Sequence, residues 1–221
     1  MQLLGVTLAR VLAFVELTDL NPKGTVYYPD LVRALVEKLR FVKFPQRIEE
    51  FDEQKGVEFV GGTWAGTTVE RVILYNNGIL LDTRSSTDES ERILGELLNW
   101  ATAQFKLNYR PEMILRKWYV SNFTFYSDVP LLCPTLPLRN LANNVANAVE
   151  GVRGKRFDFQ TTRIDIDIDK SDQQVAMAPF SIQRRNVAPF SENKYFSEAP
   201  LRTQTHLALL QQYEDQVRAI S

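Results

Sequence analysis

The stretch that most restricts how this chain can fold is 68–84, where two runs rich in β-branched residues flank Asn76-Asn77-Gly78. Asn and Gly tolerate the positive φ that tight hairpin turns need, so 68–75 and 79–84 are expected as antiparallel neighbours. A third run of the same kind, 56–64, precedes them. Directly after the hairpin, Ser86-Thr87-Asp88-Glu89 spells a capping box, in which a hydroxyl and a carboxylate satisfy orphan amides at a helix start. Ile93, Leu94, Leu97, Leu98, Ala101 and Phe105 supply the apolar stripe of that helix. Hairpins feeding helices argue against a doubly wound parallel sheet. They predict an α+β fold with a mixed or mainly antiparallel sheet.

The remaining chain fits this class. Positions 10–17 read as a buried strand, followed by a turn through Asn21, Pro22, Lys23 and Gly24. Pro29 and Asp30 suit a first helical turn, and Leu31, Val32, Leu35, Val36 and Leu39 form the stripe of a helix ending near Phe41. Beyond Pro111 we expect a long strand over 114–126, a proline-broken connection and a helix over 138–150. Strands over 155–169 and 175–185 and a final helix over 202–219 complete about four helices. Seven of the ten prolines follow position 110, which marks 110/111 as a weak candidate subdivision. No Gly/Ser-rich linker lies there, so the expectation is a single domain over 1–221.

Charge and cysteine content exclude several classes of function. The 221 residues carry 26 Lys+Arg against 27 Asp+Glu, a net charge of -1 spread evenly over both halves. Neutralising phosphates needs a basic surplus, so there is no strong sign of nucleic acid. One cysteine, Cys133, permits no internal disulfide, and one histidine, His206, leaves no Cys/His zinc site. A reducing, cytoplasmic setting is the expectation. The apolar opening is interrupted by Arg10 and Glu16 and reads as a strand rather than a signal peptide. No window approaches 18 uncharged apolar residues, so no membrane partner is expected.

Five groups of residues are candidates for function. Asp165, Asp167 and Asp169 alternate with Ile164, Ile166 and Ile168, so a strand would hold the carboxylates on one face, about 7 Å apart. With a further acidic neighbour they would suit Mg²⁺ or Ca²⁺. The plain alternative is the solvated face of an edge strand. Phe157 and Phe159 share the odd-numbered face with these aspartates, which requires a change of phase between 160 and 163. Arg184 and Arg185 lie among Phe180, Phe190, Lys194, Tyr195 and Phe196, a mixture suited to a phosphate or to a partner surface. Ala178-Pro179-Phe180-Ser181 returns as Ala188-Pro189-Phe190-Ser191, placing this region at a sheet edge or in an extended loop. Cys133 and His206 could form a nucleophile and base. His206, however, falls on the stripe of Leu209, Leu210, Tyr213, Val217 and Ile220, which marks a core histidine. Pro29-Asp30 and Glu53-Gln54-Lys55 spell an acid, acid, lysine set of the nuclease type, but one acid opens a helix and the other sits in a polar stretch.

The helix over 138–150 is the most informative of the five. Leu138, Leu141, Ala142, Val145 and Val149 make an apparent core stripe, while Asn140, Asn143, Asn144 and Asn147 fall within about 100° of arc on the other side. No charged residue occurs from Asn140 through Val149. Depletion of charge marks the centre of protein interfaces. The expected function is therefore a non-enzymatic component of a protein assembly, through a protein partner or self-association and with no cofactor. The alternative is a divalent-metal-dependent phosphodiester hydrolase, with Asp165, Asp167 and Asp169 on the metal and Arg184 or Arg185 on phosphate.

Overall fold

Asn76, Asn77 and Gly78 do close a hairpin, with strand β3 (Thr67–Tyr75) running antiparallel to β4 (Gly78–Thr83). The computed structural model describes residues 1–24, 26–132, 135–168 and 177–220. The other strands are β1 (Gln2–Phe14), β2 (Val57–Trp64), β5 (Arg116–Tyr126), β6 (Arg163–Ile166), β7 (Phe180–Arg184) and β8 (Lys194–Ala199). Among the described residues the helices are α1 (Leu17–Leu20), α2 (Tyr28–Leu39), α3 (Thr87–Phe105), α4 (Leu136–Arg153) and α5 (Thr203–Ile220). The β1–β4, β2–β3, β3–β4, β6–β7 and β7–β8 pairs are all antiparallel, so the α+β class holds. The chain forms two compact units, one of residues 6–121 with 201–203, the other of 1–5, 122–200 and 204–221. The passage at 121/122 lies inside β5, not at 110/111.

In the first unit the strand order is β2-β3-β4-β1-β5. Alternation sets the register: Val11 pairs with Leu81, Leu81 with Val72, and Val72 with Phe59, so these four apolar side chains share one face. They pack with Leu35 and Leu39 of α2 and Ile93, Leu94, Leu97 and Leu98 of α3 as one buried cluster. Leu31, Val32, Leu35, Val36 and Leu39 thus face inward as their spacing predicts. Arg40, in the left-handed conformation, ends α2 by donating its backbone N–H to Val36 O. Only half of the expected capping box forms. Ser86 Oγ accepts from Glu89 N at 3.1 Å, but the Glu89 carboxylate turns to Arg92 and Thr67. Its pKa is lowered chiefly by the Arg92 hydrogen bond.

In the second unit the order is β1-β5-β8-β7-β6. Phe123, Phe125, Tyr195, Leu131, Leu132 and Leu210 are its large buried side chains. His206 is fully buried, with its ring centroid 4.4 Å from that of Phe123 and Nε2 2.8 Å from Ser197 Oγ. Ser197 donates its only hydroxyl proton to Ser181 O at 2.6 Å, so His206 Nε2 carries the proton shared with it. This is the core histidine expected from its stripe; Cys133 lies outside the described residues.

Four sequence expectations change. β1 runs over Gln2–Phe14 rather than 10–17, and 17–20 becomes α1. Positions 155–162 form no strand, so the phase conflict of Phe157 and Phe159 with the aspartates disappears. The two Ala-Pro-Phe-Ser copies differ: the first leads into β7, while the second feeds a single 3-10 turn at Phe190–Glu192. Finally, β7, which the first copy enters, lies between β8 and β6 rather than at the sheet edge, and β8 is an inner strand that was not expected. Its buried positions are Tyr195, Ser197 and Ala199, whose small polar and apolar members hide a period of two that tertiary hydrogen bonds reveal.

Candidate functional site

Helix α4 reverses the expectation placed on it. Leu138, Leu141 and Val145 were expected to face the core, yet they are 38%, 59% and 37% exposed, and Val152 is 85% exposed. The buried residue is Ala146, with Ala142 and Val149 half-buried beside it. Ala146 lies about 100° around the helix from the middle of the leucine stripe. The helix is therefore seated on its small residues, and small side chains bring a helix backbone close to its support. The larger apolar side chains are left in solvent. Asn140, Asn143, Asn144 and Asn147 are also exposed; Asn147 Oδ1 accepts from Arg156 Nη1 at 2.7 Å, and that arginine pairs with Glu150 at 3.1 Å.

A second exposed apolar feature belongs to the same unit. Ile164 pairs with Ile182 and Ile166 with Phe180, and these four side chains, with Leu209 and Tyr213 of α5, line a groove of about 420 Å³. Gln212 and Gln216 are its polar lining. Neither groove nor stripe carries a charge. The spacing of isoleucines in the sequence marks the groove's strand side, but the missing cover on α4 leaves no trace in a helical wheel.

The aspartate series is only partly formed. β6 ends at Ile166, so Asp165 is on the strand and Asp167 beyond it, while Asp169 lies outside the described residues. Asp165 is held by Arg163 Nε at 2.8 Å, and Asp167 Oδ1 accepts from Ile168 N at 2.9 Å. On the isoleucine face Ile164 is half-buried, while Ile166 and Ile168 are exposed. A four-residue edge strand with one neighbour gives its side chains little cover. Among the described residues, no group of three or more His, Cys, Asp or Glu side chains converges as metal ligands would. Asp30 opens α2 and Glu53 sits in a turn, two unrelated settings.

The two arginines diverge: Arg184 is the last residue of β7 and Arg185 follows it. Arg184 is buried, its guanidinium 4.8 Å from the Phe190 ring and 5.2 Å from the Tyr195 ring. It donates to Phe190 O at 2.9 Å and to Gln160 Oε1 at 2.8 Å, so it braces the segment before β6 against the Phe190 turn. Arg185 is half-exposed, 5.7 Å from the Phe196 ring.

One polar cluster in the first unit has the composition of an acid–base site but the bonding of a brace. Glu91 accepts from Lys117 Nζ at 2.8 Å and Tyr119 OH at 2.9 Å, and pairs with Arg202 at 2.7 Å. Burial would raise its pKa, but these three donors hold it below the ordinary carboxylate value. Burial and the Glu91 hydrogen bond push the Tyr119 phenol up to about 12. A phenol with a raised folded value contributes stability that is complete below 10 and is lost as pH rises through about 12. In a near-ultraviolet titration, Tyr119→Phe should remove the phenol that ionises near pH 12. Loss of amplitude near pH 10 instead would refute this environment.

The fold and its exposed faces define an α+β protein with an amphipathic helix whose leucine stripe is exposed among the described residues. No protein-family model matches the sequence, and no curated protein is similar to it. No described helix is long and apolar enough to cross a membrane.

Proposed function

We propose that this chain works as a component of a protein assembly and docks through α4. The observation that supports the reading most is the exposed stripe of Leu138, Leu141 and Val145 on an 18-residue helix. Fully burying a leucine or valine is worth roughly 1.5–3 kcal/mol. A contiguous row of such side chains therefore favours association over solvent. The face lacks charge over Asn140 to Val149, so a partner meets no ionic desolvation penalty there.

A second copy is the partner we favour. The uncharged groove of Ile164, Ile166, Phe180, Ile182, Leu209 and Tyr213 offers the concave apolar surface that a helix stripe fits, and both features belong to one chain. Helix-in-groove contacts exchanged between two copies close on themselves without leaving an open end.

Sedimentation velocity and native mass spectrometry over a hundredfold range of concentration test this. The expected result is a concentration-dependent oligomer that Leu141→Asp with Val145→Asp converts to monomer, with circular dichroism and melting unchanged. Asn144→Arg reports whether the asparagine face shares the contact, and is expected to weaken association by about tenfold. A wild-type protein that stays monomeric throughout, or a double variant that associates as well as wild type, would overturn self-association through α4.

A further inference from the structure

The first unit contains an apolar cavity of about 240 Å³, enclosed by Leu20, Leu35, Leu74, Ile79, Leu94 and Leu98. An engineered apolar cavity of about 150 Å³ stays dry and binds benzene, so a cavity of this size is large enough for a small apolar ligand. Its remaining lining includes Thr18, Asn21 and Glu53, of which Thr18 is exposed. The polar groups thus lie where the cavity reaches the surface.

The rim is tied in place by backbone hydrogen bonds. Leu17 N donates to Asn76 O at 2.9 Å, Asn76 N to Glu53 O at 3.1 Å, and Asn108 N to Leu20 O at 2.8 Å. These join α1, the hairpin turn, the turn that carries Glu53 and the segment after α3. The Glu53 turn is closed by Gly56, whose N donates to Asp52 O at 2.8 Å with φ +94. A Cβ there would stand 2.5 Å from Tyr75 Cε1 and 2.6 Å from Ile73 Cγ2, so both the conformation and the space require glycine. A rim fixed in this way keeps the cavity from collapsing. Preformed apolar cavities with a few polar groups at one end are the common form of small-ligand sites.

Glu53 also borders a neighbouring polar hollow lined by Glu49, Asp52, Gln54, Lys55 and Asn76. Asp52 is neutralised by Lys55 at 3.0 Å. Glu53 and Glu49 have no ion-pair partner among the described residues. The lining of this largely aliphatic chamber therefore includes one carboxylate residue, Glu53, with no ion-pair partner among the described residues. We infer that the cavity binds a small apolar amine, with its hydrocarbon body among the leucines of α2 and α3 and its ammonium on Glu53. An anionic amphiphile of the same length is repelled at the mouth, and a neutral one lacks the charge-assisted hydrogen bond.

Isothermal titration calorimetry of the full chain with octylamine, octanol and octanoate, each below its micellar concentration, tests the site. Octylamine should bind at one site per chain, at least about tenfold more tightly than octanoate, a ratio set by the carboxylate. Glu53→Gln should reduce octylamine to the affinity of octanol, and Leu94→Trp should abolish binding of both by filling the chamber. Should the tryptophan variant fail to fold, Ala101→Leu at the same wall should still weaken both alcohol and amine. Absence of saturable octylamine binding, equal binding of octanoate, or an amine affinity unchanged by Glu53→Gln would each overturn the assignment.

Discussion

Replacing Glu214 by alanine should lower the unfolding free energy by about 3–5 kcal/mol. This is a large part of the roughly 5–15 kcal/mol that holds a typical domain folded. Glu214 is fully buried on α5 and accepts hydrogen bonds from Ser127 Oγ at 2.6 Å, Asp128 N at 2.9 Å and the Met1 amino group at 2.6 Å. Gln211 Nε2 adds a further donor at 3.1 Å. Removing the carboxylate strands the buried Ser127 hydroxyl and the largely buried Met1 amino group, and a buried unpaired donor carries its whole desolvation penalty. Burial by itself would raise the Glu214 pKa; the hydrogen bonds from Met1, Ser127 and Asp128 outweigh it and hold the value below 4.5. Because the folded value is depressed, the charged form contributes stability that is complete above pH 4.5 and is lost as pH falls through the folded pKa. Thermal melts of wild type and Glu214→Gln should differ most near neutrality and converge below pH 4.5. A gap that stays constant with pH would show that charge is not what Glu214 supplies.

Asp82→Ala should cost about 3 kcal/mol. Asp82 is buried in the middle of β4, on the face of the sheet away from Leu81, where Arg10 and Arg71 stand opposite it on the two neighbouring strands. Arg10 grips it bidentately, Nε at 2.7 Å and Nη2 at 2.8 Å, and Arg71 donates from Nε at 3.1 Å and Nη2 at 3.0 Å. The arginine side chains are 26% and 35% exposed, which lets water recover part of the loss and holds the figure at the low end. Alanine leaves two guanidinium groups facing each other across one strand without the carboxylate they share, while Glu58 stays 3.3 Å from Arg71. Arg10→Met with Arg71→Met and Asp82→Leu should recover most of the stability, because an apolar triad needs no partner for its charges. Chemical denaturation gives both numbers. An Asp82→Ala midpoint equal to wild type would mean that the arginines are satisfied by solvent and that this triad is ornamental to stability.

Local chemistry wrote much of the fold into the sequence. Asn76-Asn77-Gly78 specifies a hairpin because few residues accept its backbone angles, and Ser86 caps α3 because a hydroxyl reaches an amide three residues on. The stripes of α2 and α3 predict burial correctly, since both helices lie on a sheet face wide enough to cover them. Periodicity reports that a face is apolar, not that anything covers it. On α4 the same signal was equally clear, and Leu141 is nevertheless in solvent while Ala146 is buried.

What only the tertiary structure decided are the matters of what meets what across long separations in the chain. Of the aspartate run only Asp165 lies on the four-residue edge strand, tied to Arg163, and Arg184 at the end of β7 became a buried brace while Arg185 beyond the strand stayed half-exposed. Glu214 and Asp82 look like any surface carboxylates in the sequence. Their weight comes from Ser127 and Asp128 in one case and from Arg10 and Arg71 in the other, far away along the chain. The cavity beside Glu53 has no linear signature at all, since its walls come from α1, α2, α3, β3 and β4. Short-range sterics and hydrogen bonding determine turns, caps and helix faces from neighbouring residues alone. Burial, charge pairing and empty space depend on which faces the chain finally brings together.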